Sequence, residues 1–482
     1  MRPLAARLAP SALLLVALAT SVVLGAPPTG AELKKVLKSG DAAAVKGALE
    51  GGALDPDGVK AVLDVVEDGK GGARLRQLGV YESLVAGLGS ARGPALDELT
   101  KAYKKAKRGD VRFLIVEALG KVPEAPAEAT LVEALEDDDE SVAVLAARQM
   151  GKKATASAVE AMIPLLKKFE GDKARSRMVR EVNGALSALT GQDELNVADD
   201  WKSWWDSHKN EFRAAAPAAG DATQDRNALD VLKRERPADA RTVTRLRPDD
   251  VVVIKGSSDR LEDVLEAIGV PHVAHDRAEF DKLKLDPTRQ VLVLNCAGKT
   301  DLTDAGIATV KEFVTQGGYL FTSDWELKNT LEKAFPEVVK FKGESPRDPK
   351  EGLEISIRPS RDNAMHPYLR DVFPLGTWEN TSFKWKLDSR SHFAADNPNI
   401  VSLVEGDMTG HDKVPSNVVC FTFAYPPGSG RQASGGGDKK KRSGGQVLQV
   451  SSHFKNQRDK GGDGFALQKL LLNFIVERQE SR

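Results

Sequence analysis

Two side chains with nucleophilic chemistry, Ser323 and Asp324, stand next to each other between a predicted strand and a predicted helix. The apolar run 319–322 favours a buried strand and residues 325–334 favour a helix, so a sharp turn carries both side chains. Serine becomes a nucleophile when a base takes its proton, and aspartate serves as a nucleophile or as a base. His453 follows a later predicted strand and is the candidate base. The sequence therefore offers Asp324, Ser323 and His453 as candidate catalytic residues.

Each of these residues also has a non-catalytic interpretation. The carboxylate of Asp324 can accept hydrogen bonds from the free N–H groups of the helix that begins at Trp325, and the sequence favours this capping role. Ser323 is flanked by Thr322 and Asp324 rather than by the small residues of a serine elbow. His453 is equally compatible with a hydrogen-bonded histidine near the surface. Contact with a ligand or a partner is a third interpretation of the turn.

Strands and helices alternate over residues 248–482, which predicts an α/β domain with a parallel, doubly wound sheet. All-apolar strands such as 290–295 are typical of the centre of a parallel sheet. The predicted strands are 251–254, 271–274, 290–295, 319–322, 353–358, 400–404, 418–424 and 446–451, and the predicted helices are 259–268, 303–316, 325–334 and 465–478. Residues 426–445 are rich in Gly, Ser and Lys and predict a disordered loop.

This half of the chain resembles the class I glutamine amidotransferase-like superfamily, including its trehalose-utilisation-type members. The matching segments are 291–295, 313–320, the turn 322–325 and 445–454. In catalytic members a strand ends in a tight elbow that bears cysteine, backbone N–H groups bind the oxyanion, and a histidine from a late strand accepts the thiol proton. The resemblance implies a flavodoxin-like fold with His453 at the histidine position.

The sequence departs from this family at the nucleophile. The elbow position holds Ser323 or Asp324, and no cysteine is there. A carboxylate at that position would compete with the oxyanion for the same N–H donors. The acidic residue that the family places shortly after its histidine is not evident, although Asp459 and Asp463 follow His453. The resemblance therefore implies a degenerate domain without the family's chemistry.

The two cysteines, Cys296 and Cys420, both fall in predicted strands, which favours small buried hydrophobic residues over a disulfide. Cys296 ends the strand 290–295 and lies near the edge of the sheet where ligands bind in such folds, so a displaced nucleophile is the alternative. Neither cysteines nor histidines have zinc-site spacing, and no phosphate-loop, dinucleotide or EF-hand motif is present. The sequence therefore predicts no metal and no cofactor.

Residues 32–213 predict helices only, because apolar residues recur three and four positions apart. Segments 110–120, 140–151 and 180–191 repeat one another, and each ends in glycine, a helix stop. They resemble HEAT-type repeats, which implies a solenoid. Trp201, Trp204 and Trp205 follow at helical spacing and predict a core that closes the last repeat. Residues 214–247 lack a steady period and predict a linker.

The chain begins with a segment typical of export. Residues 1–26 combine early arginines, an apolar run and small residues, as in a signal peptide. An uncleaved anchor is the alternative, and it is the only route to the membrane that the sequence offers. The net charge of −1 gives no global attraction to nucleic acid. The basic run 439–442 lies in a Gly/Ser-rich stretch and predicts a solvated loop. These features favour a periplasmic or cell-envelope protein.

Two functions are compatible with these features. The first is a non-catalytic interaction protein, with a protein partner on the helical repeats and a small-molecule ligand at Asp324, Trp325, Cys296 and His453. The second is an extracytoplasmic hydrolase that acts on a sugar or an amide with Asp324 or Ser323 and His453. The second gains support if His453 lies within hydrogen-bond reach of Ser323 or Asp324 in an open pocket. It loses support if the turn is capped and covered.

Overall fold

The computed structural model describes residues 28–50, 52–77, 79–215, 227–347, 352–379, 383–428, 444–454 and 462–481. The predicted signal peptide and most of the predicted disordered loop lie outside these ranges. Within them, no helix combines the length and the apolar character needed to cross a bilayer.

The N-terminal region is built from helices. In the described part of residues 28–208 these are α1 (Gly30–Ser39), α2 (Ala42–Glu50), α3 (Pro56–Glu67), α4 (Gly69–Gln77), α5 (Tyr81–Gly89), α6 (Pro94–Lys105), α7 (Gly109–Gly120), α8 (Ala125–Ala134), α9 (Glu140–Met150), α10 (Ala156–Phe169), α11 (Ser176–Thr190) and α12 (Ala198–His208). The three predicted repeats coincide with α7, α9 and α11, which pack on one another in that order. Every second helix therefore forms one row of the array, as in stacked helix pairs.

The repeat glycines have two different roles. Gly191 ends α11 in the left-handed conformation, with φ 72°, as a glycine helix stop does. Gly120 and Gly151 instead allow close packing between rows. A Cβ on Gly120 would lie 2.3 Å from the side chain of Gln149, and a Cβ on Gly151 would lie 3.1 Å from the Cα of Ala185. Gly151 therefore allows close approach to the backbone of α11, whereas at Gly120 the neighbour is the flexible end of the Gln149 side chain.

The tryptophans of α12 pack as the sequence predicts. Trp201 is fully buried and Trp205 is nearly so, and both belong to the core of the helical region. The indole N–H of Trp201 donates to Asn183 Oδ1 at 2.7 Å, which satisfies its polar atom in the apolar environment. Burying these rings against the last pair of repeats covers apolar surface that would otherwise face water.

The C-terminal region contains a nine-stranded sheet and a separate two-stranded pair. The strands are β1 (Val251–Ile254), β2 (Val273–His275), β3 (Val291–Leu294), β4 (Tyr319–Ser323), β5 (Phe341–Glu344), β6 (Leu353–Pro359), β7 (Lys384–Leu387), β8 (His392–Ala394), β9 (Val401–Gly406), β10 (Val418–Tyr425) and β11 (Gly445–Val450). The large sheet has the order β2-β1-β3-β4-β11-β10-β9-β6-β7, and β5 pairs with β8. Strands from β2 to β11 in this order are parallel, and the remaining pairs are antiparallel.

The sheet differs from the predicted all-parallel arrangement. Strands β10 and β6 run against the parallel strands, β9 lies between them and pairs with both in antiparallel orientation, and β5, β7 and β8 were not among the predicted strands. The side chains of β10 are almost all buried, and burial on both faces gives an antiparallel strand the same apolar run as a parallel one. Composition therefore could not assign strand direction here.

Helices cover the sheet on both faces. They are α13 (Ala228–Glu235), α14 (Pro237–Thr244), α15 (Leu261–Ile268), α16 (Asp304–Thr315), α17 (Glu332–Ala334) and α18 (Gly462–Glu480). Helices α13 and α14 lie in the predicted linker, yet they pack on α18 and contribute Leu229, Leu232 and Val243 to the core. Each is only eight residues long, too short to give a clear helical period in sequence.

The segment between β6 and β7 joins the two regions. Met365 and Trp378 of this segment are buried in the same cluster as the core of the helical array. The indole Nε1 of Trp378 lies 2.8 Å from both carboxylate oxygens of Glu117, and Arg361 stacks over the ring of Tyr81 at 4.0 Å. The array residues that contact the segment lie on α5, α7, α9 and α11: Tyr81, Glu117, Arg148, Arg177 and Glu181. One row of array helices is therefore covered by the chain itself.

Candidate functional site

The turn after β4 is a true strand-to-helix elbow. Asp324 has φ 44°, in the left-handed region that aspartate tolerates better than most residues. Its N–H donates to the carbonyl of Val450 at 2.7 Å, and its own carbonyl accepts from Gln449 Nε2 at 3.1 Å and from the N–H of Leu327 at 3.0 Å. Because β11 pairs with β4 in parallel, these contacts tie the elbow to the neighbouring strand. The turn predicted from sequence is present, and it is rigidly held.

The structure brings His453 to the elbow carboxylate. Its Nε2 lies 3.3 Å from Asp324 Oδ2, and its Nδ1 contacts Asp388 Oδ2. Side-chain exposure is 3% for His453 and 1% for Asp324, so both groups are removed from water. The histidine is thus held between two carboxylates, and Asp388 was not among the candidates from sequence.

Burial and charge set the protonation of this pair. Burial raises the pKa of Asp324 to about 7, although the charge of His453 and the N–H of His392 oppose the shift. Burial alone would lower the pKa of His453, but the contacts with Asp388 and Cys296 and the charges of Asp324 and Asp259 outweigh it. The pKa of His453 therefore lies well above its usual value.

The carboxylate of Asp324 does not cap the following helix, which corrects the interpretation that the sequence favours. Its Oδ1 accepts from the backbone N–H of His392 at 2.8 Å, and its Oδ2 faces His453. The chain after the elbow begins with a π turn, Leu327–Leu331, whose N-cap Glu326 makes no side-chain cap. The carboxylate points across the sheet edge because the left-handed elbow directs it away from the first turn.

Cys296 and Ser323 complete the cluster. The N–H of Cys296 donates to Ser323 Oγ at 3.0 Å, and within the described ranges no hydrogen bond joins Ser323 to His453. One donor atom each from Cys296, Asp324 and His453 lies within 4.8 Å of the others. Cys420 is fully buried in β10 and takes no part. The structure therefore groups the predicted cysteine and histidine with Asp324 and leaves Ser323 as a supporting contact.

Aromatic side chains and the pair β5–β8 cover the cluster. The ring of Trp325 stacks on His392 at 5.0 Å between centroids, and its Nε1 donates to the carbonyl of Arg390 at 2.9 Å. Phe341 meets the other side of His392 at 4.8 Å. Under this cover, at most 2% of each residue of the cluster is exposed: Cys296, Ser323, Asp324 and His453. The site is closed in this conformation rather than an open pocket.

Sequence reasoning missed two residues of the site, Asp388 and His392. Asp388 lies in the turn after β7 and His392 begins β8, and neither strand was among the predicted strands. The polar stretch from Asp388 to His392 was the available signal. The other acidic candidates after His453 are not placed, because Asp459 and the side chain of Asp463 lie outside the described positions.

Comparisons with known proteins give little further information. No family model and no curated protein sequence matches this chain. Among solved structures, the chain is similar to one described as that of a ThuA-like protein from Bacteroides uniformis. The TM-score is 0.31 with 11% sequence identity, over 47% of this chain and 91% of that chain. The fold observed here is a helical N-terminal region followed by a region with a large mixed sheet and a carboxylate-bearing elbow.

Proposed function

We propose that this protein is a non-catalytic, exported interaction protein, in which a degenerate amidotransferase-like domain is fused to a HEAT-like helical array. The observation that carries the proposal is the closure of the elbow. Asp324 is 1% exposed, one of its oxygens is bound by the N–H of His392, and the other faces His453. A nucleophile must reach a substrate atom, and this carboxylate contacts protein on both oxygens.

The cover over the elbow supports the same conclusion. The ring of Trp325 stacks on His392, Phe341 meets His392 edge to face, and Phe341 and His392 belong to the pair β5–β8. The carbonyl of His392 accepts from Ser451 Oγ at 2.8 Å, so the cover is also hydrogen-bonded to the sheet edge. Opening the site would expose these rings and break these hydrogen bonds together. Interactions of this kind favour a permanent closure over an active-site lid.

The binding surface that we assign to the array is the row α6, α8 and α10. The other row, α5, α7, α9 and α11, is covered by the segment between β6 and β7. Trp378 and Arg370 of that segment contact Glu117 and Glu181 of this row. On the uncovered row Lys101, Lys105 and Glu160 are exposed. Solenoids recognise protein partners through such extended surfaces. A protein partner is therefore expected on this row, and the signal-like segment 1–26 supports an encounter outside the cytoplasm.

The experiment compares catalysis and binding in the same preparations. The purified chain is tested for hydrolysis of chromogenic esters, amides and glycosides, together with Asp324→Asn and His453→Gln. We expect no turnover above background. Turnover that both substitutions abolish would refute the proposal. In parallel, crosslinking in envelope extracts should give a partner band that Lys101→Glu/Lys105→Glu removes and Asp324→Asn retains.

A second candidate is an extracytoplasmic hydrolase that acts on a sugar or an amide. The observation that favours it is that His453 contacts both Asp388 and Asp324. In this arrangement Asp388 would orient the base His453, and Asp324 would be the nucleophile. The nucleophile also sits on an elbow, at φ 44°. If the cover opens, rapid denaturation during turnover should trap an acyl or glycosyl ester on the peptide that carries Asp324, because attack by a carboxylate nucleophile leaves a covalent intermediate. Turnover without a covalent adduct on that peptide would exclude Asp324 as the nucleophile.

A further inference from the structure

We propose that Cys296, Asp324 and His453 form a binding site for a divalent transition-metal ion, with Zn²⁺ the best match. The site goes beyond the proposed interaction function and does not depend on it. The three residues follow β3, β4 and β11, which are adjacent parallel strands in the sheet. Neighbouring strand ends hold their positions relative to each other, as a preformed metal site requires.

The distances suit tetrahedral coordination. The three donor atoms lie within 4.8 Å of one another, and Asp324 Oδ2 is 3.3 Å from His453 Nε2. Zinc bonds of about 2.0–2.3 Å to N, O and S place tetrahedral ligands roughly 3.3–3.8 Å apart. The carboxylate and imidazole already have this separation. The Cys296 sulfur lies within 4.8 Å of both of the other donor atoms.

The contact between Asp324 and His453 leaves buried polar atoms without a well-formed hydrogen bond. Asp324 Oδ2 and His453 Nε2 are inaccessible to water and lie 3.3 Å apart without hydrogen-bond geometry, while His453 Nδ1 contacts Asp388. Their residues are 1% and 2% exposed. Buried polar atoms without a well-formed hydrogen bond are costly, and a bound ion is one of their regular explanations. An ion bonded to Asp324 Oδ2 and a ring nitrogen would satisfy two of these atoms at once.

Neighbouring side chains and backbone groups orient the three proposed ligands. Asp388 contacts Nδ1 of His453, which leaves Nε2 for the ion, as in carboxylate–histidine–zinc arrangements. The N–H of His392 fixes Asp324 Oδ1 at 2.8 Å, and Ser323 Oγ accepts from the N–H of Cys296 at 3.0 Å. Each proposed ligand is therefore oriented by a contact of its own.

The donor types select the ion. Metal binding displaces the protons of the Cys296 thiol and the His453 ring, and the resulting thiolate, carboxylate and neutral imidazole carry two negative charges, which a divalent cation balances. Magnesium and calcium prefer oxygen ligands alone, whereas zinc accepts sulfur, nitrogen and oxygen together. Closure of the site, which argues against a substrate, is compatible with a structural ion that ties three strand ends together.

The test uses the full chain without a polyhistidine tag. The protein is stripped with EDTA and titrated with Co²⁺ and Zn²⁺, and bound metal is measured by elemental analysis and by the thiolate-to-cobalt absorption band. We expect about one ion per chain for a single site of this type, with the thiolate band present. Cys296→Ala should abolish the band. Cys420→Ala, the matched change at the other buried cysteine, should retain it.

The variant Asp388→Asn keeps all three proposed ligands. It tests whether they bind a metal ion if Cys296→Ala does not fold. We expect its affinity for Zn²⁺ to fall about 10- to 100-fold, with the circular dichroism spectrum of the metal-free protein unchanged. Substoichiometric binding by the folded wild-type chain would overturn the site. The same holds if Co²⁺ binds without a thiolate band, or if Asp388→Asn binds as tightly as wild type. None of these results depends on hydrolytic turnover.

Discussion

Glu181 lies where the helical array meets the sheet region, and its removal tests how strongly the two are coupled. Its carboxylate receives two hydrogen bonds from Arg148, at 2.9 and 3.1 Å, and lies 3.9 Å from Arg370 Nε. Side-chain exposure is 4% for Glu181, 14% for Arg148 and 17% for Arg370. Glu181→Gln would leave these two guanidinium groups close together without the anion between them.

The expected loss of unfolding free energy follows from the burial of Glu181, Arg148 and Arg370. Removing one partner of a buried ion pair costs about 3–5 kcal/mol, because the charge that remains is neither hydrated nor paired. Domain stabilities are typically about 5–15 kcal/mol, so the loss is a large fraction of the total. We expect Glu181→Gln to lower the free energy of unfolding by about 3 kcal/mol or more at pH 7.

The effect should depend on pH in a defined direction. Burial alone would raise the pKa of Glu181, but Arg148, Arg370 and Arg177 outweigh it and hold the pKa well below its usual value. A depressed folded-state pKa gives stability that is fully present above the unfolded pKa, about 4.3, and is lost as the pH falls below it. The stability difference between wild type and Glu181→Gln should therefore narrow below pH 4.3.

Urea unfolding at several pH values measures the loss of unfolding free energy at pH 7 and its dependence on pH. Tryptophan fluorescence and far-ultraviolet circular dichroism serve as probes. The matched control is Glu133→Gln. Glu133 pairs with Lys104, which is 59% exposed, and exposed ion pairs contribute little to the free energy of unfolding. A loss below about 1 kcal/mol at pH 7 would contradict the buried-pair argument. A difference that stays constant below pH 4.3 would contradict the pKa argument.

Two further substitutions test packing at named contacts. Trp378→Phe removes the indole N–H that reaches both oxygens of Glu117, which is only 2% exposed, and should lower the free energy of unfolding by about 1–3 kcal/mol in urea titrations. Gly445→Ala places a Cβ 2.1 Å from the carbonyl oxygen of Val314 and 2.4 Å from that of Gly318. This substitution should lower the free energy of unfolding by at least ~2 kcal/mol, which would appear as a lower midpoint of thermal unfolding.

Each of these changes has a matched control in the same chain. Trp204→Phe alters a half-buried tryptophan whose indole N–H makes no hydrogen bond within the described residues, so it should cost less than Trp378→Phe. Gly47→Ala changes an exposed glycine of α2 that has open space around its Cβ, and it should stabilise the protein by about 0.5–1 kcal/mol. Equal effects within either pair would show that the contacts named above are not the cause.

The central strands, the main helices and the elbow could be predicted because their signals are local. Residues 291–294 are apolar without interruption and buried at every position, as a central parallel strand requires. The change from apolar strand to helical period located the turn to within about a residue, since the strand ends at Ser323 rather than at the predicted Thr322. The repeat spacing likewise located α7, α9 and α11.

Strand direction and short elements could not be predicted in the same way. Strand β10 runs against the parallel strands but has their apolar composition, because burial and not direction determines which residues it uses. Strands β7 and β8 have four and three residues, too few for a period to emerge. Asp388, which lies between them, was missed for this reason.

The sequence by itself determined the order of the elements, the elbow at Asp324 and the absence of a cysteine there. Tertiary structure alone decided what surrounds that carboxylate. Cys296, Asp388 and His453 are far apart along the chain, and only the pairing of β3, β4 and β11 brings the first and the last to the elbow. The carboxylate then contacts His453 and the N–H of His392 rather than its own helix. The local sequence pattern indicates which chemistry each side chain can perform. The groups that each side chain contacts depend on long-range strand pairing.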